Sequence, residues 1–316
     1  VPLRHTSAMV AQVLELLNPQ IGHVCVDCTV GGAGHAKQLC KAISQSGIFI
    51  GIDQDPDAIQ HAETVLAPLK PKAFLINDHF GRLSDILAQL NIDRVDLILA
   101  DIGVSQYQLQ ESGRGFSFQK AEPLDMRMNP QNKITAHEVI NHWPVAKLTD
   151  IFHQLGEERW AQRIAQRIVG RREQRAIETS LELAHIIMAA IPARFRQNQR
   201  IHPATRVFMA LRMAVNHELE RLKRLLGAVP DILAPGGRFC VLSFHSLEDR
   251  MVKRTFQGWS KGCVCPPDLP VCGCGRVPLF SLLTPKVVRP DAAEIEANPM
   301  ARSARLRAVE KRRETS

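Results

Sequence analysis

Three carboxylates stand within or at the end of apolar runs, and their surroundings point to a ligand. The run from Val24 to Val30 contains Asp27 and leads into Gly31-Gly32-Ala33-Gly34-His35. Glycines at the point where a strand gives way to a helix let a ligand approach the backbone, and the helix N-terminus offers unpaired amides. Close packing of a helix on a strand makes the same kind of turn, so the turn alone does not define a site. A second apolar run ends in Asp53, about twenty residues further on, where an α/β nucleoside site sets a carboxylate to accept ribose hydroxyls. A third acid, Asp101, closes the run from Val95 and precedes Ile102-Gly103-Val104-Ser105. Capping that turn is its structural alternative.

The glycine turn does not reproduce the G-x-G-x-x-G spacing that seats a pyrophosphate. Flanked by Asp27 and Asp101, it suits a cation better. S-adenosylmethionine, which carries an ammonium and a sulfonium and no phosphate, is therefore the cofactor expected. A nicotinamide oxidoreductase is a distant alternative. The D/N/S-P-P-Y/F motif frequent in methyltransferases acting on exocyclic amines shares only its acid with the segment at Asp101.

Bringing these acids to one edge requires a particular frame. Strand-like runs end at Val30, Asp53, Asp78 and Asp101, and helical segments start near His35, Pro56 and Gly81. This alternation predicts an α/β chain with a parallel sheet covered on both faces. The next strand, Arg238 to Phe244, arrives more than a hundred residues later, after a helix from about Pro203 to Leu226 and a Pro235-Gly236-Gly237 turn. Between them lies a helical, charged stretch. In EERWAQRIAQRIVGRREQR, Trp160, Ile164 and Ile168 share one face and the arginines fall largely on the other. The expected organisation is a first sheet part over 1–107, an inserted helical domain over 108–202, whose arginines either recognise RNA or only solvate a helix face, and a second sheet part over 203–316. The basic end, Arg302 to Arg313, reads as a nucleic-acid arm or a frayed helix.

With 316 residues and 45% hydrophobic content, the chain can bury a sizeable core. No apolar run reaches the roughly eighteen residues of a membrane span, and Val1 to Val10 is too short in apolar character for a signal peptide. The expectation is a cytoplasmic protein with no membrane partner. Forty Lys plus Arg against thirty-two Asp plus Glu, a formal +8, favours a polyanionic partner. Cys25, Cys28, Cys40 and Cys240 sit inside apolar segments, as reduced buried thiols do.

The motifs HTSAM, DCTVGGAGH, GIDQDPDAI, DIGVSQYQL, SGRGFSF, PLDMRM, GEERWAQRIAQRI, IHPATRVFMALRMAVNHEL, SFHSLEDRMVKR and NPMARSARLR resemble, in order, the ribosomal RNA small-subunit methyltransferase H family. They run from about His5 to Arg307, nearly the whole chain. The resemblance implies a class I S-adenosylmethionine-dependent methyltransferase fold, Rossmann-like, with an inserted helical domain. It implies methylation of the N4 amine of a cytidine in small-subunit (16S) ribosomal RNA near the decoding site. The partner would be that RNA or the assembling small subunit; homodimerisation stays open. A non-catalytic RNA-binding assembly factor retaining a cofactor fold is the rival reading, and the intact Asp53, Asp101 and glycine turn argue against it.

Carried over residue by residue, the resemblance implies cofactor contacts from Ala33, Gly34, His35, Asp53, Phe80, Asp101 and Gln108. Phe80 would lie against the adenine, although core packing explains such a residue equally well. Ala33 stands where a glycine is common, a difference of one methyl group. For the chemistry, Asp101 and the Gly103 carbonyl are nearest the target amine by motif position. His245 and Glu248, with Asp249, are candidates for proton handling or backbone binding, Phe116 and Phe118 for the substrate wall, and Arg114, Arg127 and Arg206 for phosphate contacts. Cys263, Cys265, Cys272 and Cys274 offer four thiols, but C-x-C spacing is less usual for zinc than C-x-x-C. Similar segments are missing from some members of the family it resembles. A reduced loop with no metal is the expectation.

Overall fold

The computed structural model describes residues 7–196, 201–263, 265, 271, 273–275 and 277–313. Its elements in chain order begin with α1 (Val10–Leu17), β1 (Val24–Asp27), α2 (Gly34–Ile43), β2 (Ile48–Asp53), α3 (Pro56–Leu66), β3 (Lys72–Asn77), α4 (Leu83–Gln89) and β4 (Val95–Asp101). Helices then follow one another: α5 (Gln106–Gln110), α6 (Ala136–His142), α7 (Val145–Gln154), α8 (Ala161–Arg172), α9 (Ser180–Ala190), α10 (Ala193–Arg196), α11 (Ala204–Asn216) and α12 (Glu218–Ile232). The chain ends with β5 (Leu233–Ser243), α13 (Ser246–Ser260), β6 (Phe280–Leu282), α14 (Ala292–Ala297) and β7 (Arg305–Lys311). It divides into two compact units, Val104–Leu219 and the remainder.

The remainder is built on one seven-stranded sheet of order β3-β2-β1-β4-β5-β7-β6. β1 to β5 pair in parallel, and β7 runs antiparallel between β5 and β6. Along the central strands alternate residues enter opposite layers: Val26, Ile50, Ile98 and Val241 on one face, Cys25, Phe49, Leu97 and Cys240 on the other. Burial of both faces explains why these strands read as continuous apolar runs. The order turns back at β1, whose neighbours are β2 and β4. The crevice at the carboxyl ends of strands flanking such a reversal is where open α/β sheets bind ligands. Helix α3 starts where local chemistry allows: the Asp55 side chain accepts from the Asp57 N–H at 3.2 Å, and Pro56 needs no donor there.

The other unit has its own core, to which α6 to α9 and α11 contribute Ile140, Phe152, Ile164, Ile187 and Leu211. Its limits differ from those expected: α11 adds Ala204, Val207 and Phe208 to this core, so the return to the sheet unit falls after Leu219 rather than at 203. The single helix expected from Pro203 to Leu226 is two, because His217 takes a left-handed conformation (φ 52°) between α11 and α12. β5 begins at Leu233 rather than Arg238, with a register shift between Val95 and Leu97 opposite the glycines.

The basic C-terminal stretch needs the largest correction. Over Arg305–Lys311 it is neither an arm nor a frayed helix but an interior strand. Leu306, Ala308 and Val309 are fully buried, and Arg307, 8% exposed, places Nε 2.6 Å from Asp249 Oδ1. A strand buried on both faces can hide a paired arginine, and its charge disguises it in the sequence.

Candidate active site

Asp27, Asp53 and Asp101 close β1, β2 and β4 at the carboxyl edge of the sheet. The glycine turn is tied to them. Gly31 N–H donates to Asp53 Oδ2 at 2.9 Å, Asp55 N–H to Asp53 Oδ1 at 2.9 Å, and Asn77 Nδ2 to the Asp53 carbonyl at 3.0 Å. Thr29 links the other two acids: its N–H donates to Asp27 Oδ1 at 3.1 Å, and its hydroxyl accepts the Asp101 N–H at 2.7 Å. Sequence reasoning did not single out Thr29; its place two residues after Asp27, inside the turn, is the signal available.

Burial dominates the electrostatics. Desolvation pushes the Asp53 carboxyl up to about 6, partly offset by the backbone amides it accepts from. Asp101 is pushed up to about 7, by desolvation first and then by the Glu248 carboxylate. Asp27, fully buried, is raised by desolvation and further by Asp101 and Asp53. Asp27 Oδ2 and Asp101 Oδ1 are buried without a hydrogen-bond partner among the described residues. An acceptor left this way costs about 1–3 kcal/mol, which a cationic, hydrogen-bond-donating ligand would recover. The ammonium and sulfonium of S-adenosylmethionine fit this donor-poor, acid-rich edge. A pyrophosphate does not: it would meet three carboxylates, and the Gly31 and Ala33 amides are already given to Asp53 and to the Val30 carbonyl.

Two histidines border Asp101 and Glu248. His35 is buried on α2 with Nε2 2.9 Å from the Ala8 carbonyl and Nδ1 3.6 Å from Asp101 Oδ2. Donation to the carbonyl places the ring proton on Nε2 and turns Nδ1 toward the carboxyl group. His245, at the start of α13, sets Nε2 3.0 Å from Glu248 Oε1, an ion-pair distance without hydrogen-bond alignment. Glu248 Oε2 accepts the Phe244 N–H at 3.3 Å. Gly103 follows at φ 138°, and a side chain there would press on the Phe244 ring at 3.3 Å.

The structure thus gathers Asp53, Asp101, His35 and Glu248 with the turn residues Ala33 and Gly34. The remaining expected residues make the following contacts. Asp249 is committed to Arg307. Phe80 lies in the same buried cluster as Ile52 and Leu83. Gln108 belongs to the other unit, where its amide oxygen accepts the Ser105 N–H at 3.1 Å to cap α5. In that unit Phe116 is buried in the core, and Phe118 stacks on His202 at 4.5 Å. The phosphate reading of two arginines is not supported. Arg127 gives its guanidinium to Asp125 and to the carbonyls of Pro130 and Asn132, and Arg114 donates to the carbonyls of Arg127 and Met128. They brace the PLDMRM loop, where Met126 is held at φ 57°. Arg206 remains 44% exposed, 4.0 Å from Glu158. Of the four cysteines of the late loop, Cys272 lies outside the described residues.

Residues 2–312 match the MraW methylase family. The chain belongs to that family. Ribosomal RNA small subunit methyltransferase H of Desulfosudis oleivorans is 52% identical over 308 residues, 98% of this chain and 99% of that one. The proteins of the same name from Desulforapulum autotrophicum and Syntrophobacter fumaroxidans are 49% and 48% identical, over 96% and 98% of this chain and 97% of each of theirs. As a member of the MraW methylase family the sheet unit has the class I S-adenosylmethionine-dependent methyltransferase fold, with S-adenosylmethionine as its cofactor.

Ala33 occupies the left-handed region at φ 60°, fully buried. A side chain there costs about 1–2 kcal/mol, partly returned because alanine restricts the unfolded chain. Ala33→Gly is expected to raise stability by about 0.5–1 kcal/mol in denaturant unfolding. A loss would mean that packing of the methyl group outweighs the backbone strain.

Proposed function

We propose that this chain methylates the exocyclic N4 amine of a cytidine in small-subunit (16S) ribosomal RNA near the decoding site. The observation that carries the chemistry is Asp101, whose buried Oδ1 has no hydrogen-bond partner among the described residues and whose carboxyl is poised at about 7. A cytosine amine is a poor nucleophile because its lone pair is delocalised into the ring. An acceptor that aligns its N–H bonds and receives the departing proton is what this reaction needs. Bound S-adenosylmethionine would supply the electrophilic methyl group. Asp53 would hold the ribose hydroxyls and Asp27 the cationic end. The Asp101 carboxylate and the Gly103 carbonyl accept the amine hydrogens, and the proton passes to Asp101. Glu248 raises its affinity for that proton, and His245 lies against Glu248 at 3.0 Å. The target base must leave its stack to reach such an edge.

Methyl transfer from isotopically labelled S-adenosylmethionine to small-subunit RNA, followed by nucleoside mass spectrometry, tests this reading. N4-methylcytidine is expected. Label on the ring carbon or the ribose would overturn the N4 assignment, and RNA binding with no transfer would favour the assembly-factor reading. On the cofactor side, Asp53→Ala removes charged acceptors and is expected to weaken S-adenosylmethionine binding by about 1.5–3 kcal/mol. Calorimetry showing unchanged affinity in the folded variant would move the ribose elsewhere.

A further inference from the structure

We propose that the thiols of Cys263, Cys265 and Cys274 form a zinc site, distinct from the methyl-transfer site, that closes the loop between α13 and β6. Sequence spacing alone favours a reduced loop; the sulfur geometry reverses that reading. The three sulfur atoms all lie within 4.8 Å of one another. Cys263 Sγ and Cys274 Sγ are 3.7 Å apart, far beyond a disulfide bond of about 2.05 Å. Zinc–sulfur bonds of about 2.3 Å in tetrahedral geometry set their sulfurs roughly 3.8 Å apart. The Cys265 N–H also donates to Cys263 Sγ at 3.3 Å, a contact that fixes where this sulfur points.

The loop supplies a physical need. Among its described residues, Val271 and Val277 are 77% and 67% exposed and Leu279 is 47% exposed, so these three side chains gain little from packing. Where packing contributes little, a short segment is held by a covalent or metal staple. Cys263 and Cys265 follow the end of α13, and Cys274 approaches β6, so a metal shared among them would close the segment on itself. Thiolates select zinc over calcium or magnesium, which require oxygen ligands.

The full chain, zinc-loaded and desalted under reductant, is expected to retain about one zinc per chain. The combined Cys263→Ser, Cys265→Ser and Cys274→Ser variant should lose it, while Cys240→Ser, at a buried thiol in the sheet, should keep it. Because the triple variant could misfold, metal-free wild-type protein should also be titrated with Co²⁺. Tetrahedral d–d bands and sulfur-to-cobalt charge transfer, displaced by Zn²⁺, are the expected signature. Zinc should slow tryptic cleavage at Lys261 by about tenfold or more, the protection expected when opening is suppressed. Zinc retained by the triple variant, loaded wild-type protein that holds none after desalting, or an octahedral cobalt spectrum without charge transfer would each overturn the site.

Discussion

Asp101→Asn is expected to lower single-turnover methyl transfer by about 100-fold or more while leaving the binding of RNA much less affected. The substitution keeps the shape of the side chain and removes both its charge and its capacity to take a proton. The pH dependence separates this role from turn capping. Asp101 sits at about 7 in the folded chain, well above an ordinary carboxylate near 3.9. As a proton acceptor it works in the ionised form, so kcat/KM should rise as pH increases through about 7, and this rise should vanish in the variant. The stability linkage has the opposite sense. A raised folded value stabilises the fold most at low pH, and that contribution is lost as pH rises from about 4 through about 7. Asp101→Asn should therefore gain stability relative to the native chain between pH 5 and pH 8, on the order of a few kcal/mol at the upper end. A variant that transfers methyl at the native rate would reduce Asp101 to a cap and direct attention to Glu248 and His245.

The acids at the strand ends were legible because their signals are local: an apolar run, a terminal carboxylate and a glycine turn. Burial on both faces made the runs easy to see, and β2 and β4 end at Asp53 and Asp101 as their sequences indicate. What lay hidden depends on pairing across the chain. Arg307 looks like a surface cation until Asp249, 58 residues away, is placed beside it. Arg114 and Arg127 look like phosphate ligands until the PLDMRM loop folds back around their guanidinium groups. The helix break at His217 was hidden for another reason, since a single left-handed residue leaves the apolar period on either side intact. Glu248 was visible as a residue type, but its influence on Asp101 arises only when the start of α13 meets the end of β4.

The same pairing argument decides which arginines are available for RNA. On α8, Arg172 gives its guanidinium to the carbonyls of Ile140 and Trp143, whereas Arg163 and Arg167 project from the exposed side, and Arg175 beyond the helix is 69% exposed. Arg171 and Arg175 share Glu182, each at 3.1 Å. Neutralising Arg163, Arg167 and Arg175 together by Gln is expected to weaken binding of small-subunit RNA by on the order of 100-fold near 0.1 M salt, and to flatten the log–log salt dependence by about 2. Arg175 is the exposed end of its pair and Glu182 keeps Arg171 when Arg175 is neutralised, so the triple variant should keep its unfolding midpoint. Arg172→Gln should do the reverse, lowering the midpoint because it strands two carbonyls, while leaving the salt slope alone. If the triple variant retains both affinity and slope, these charges only solvate the helix, and the RNA follows another face of the protein.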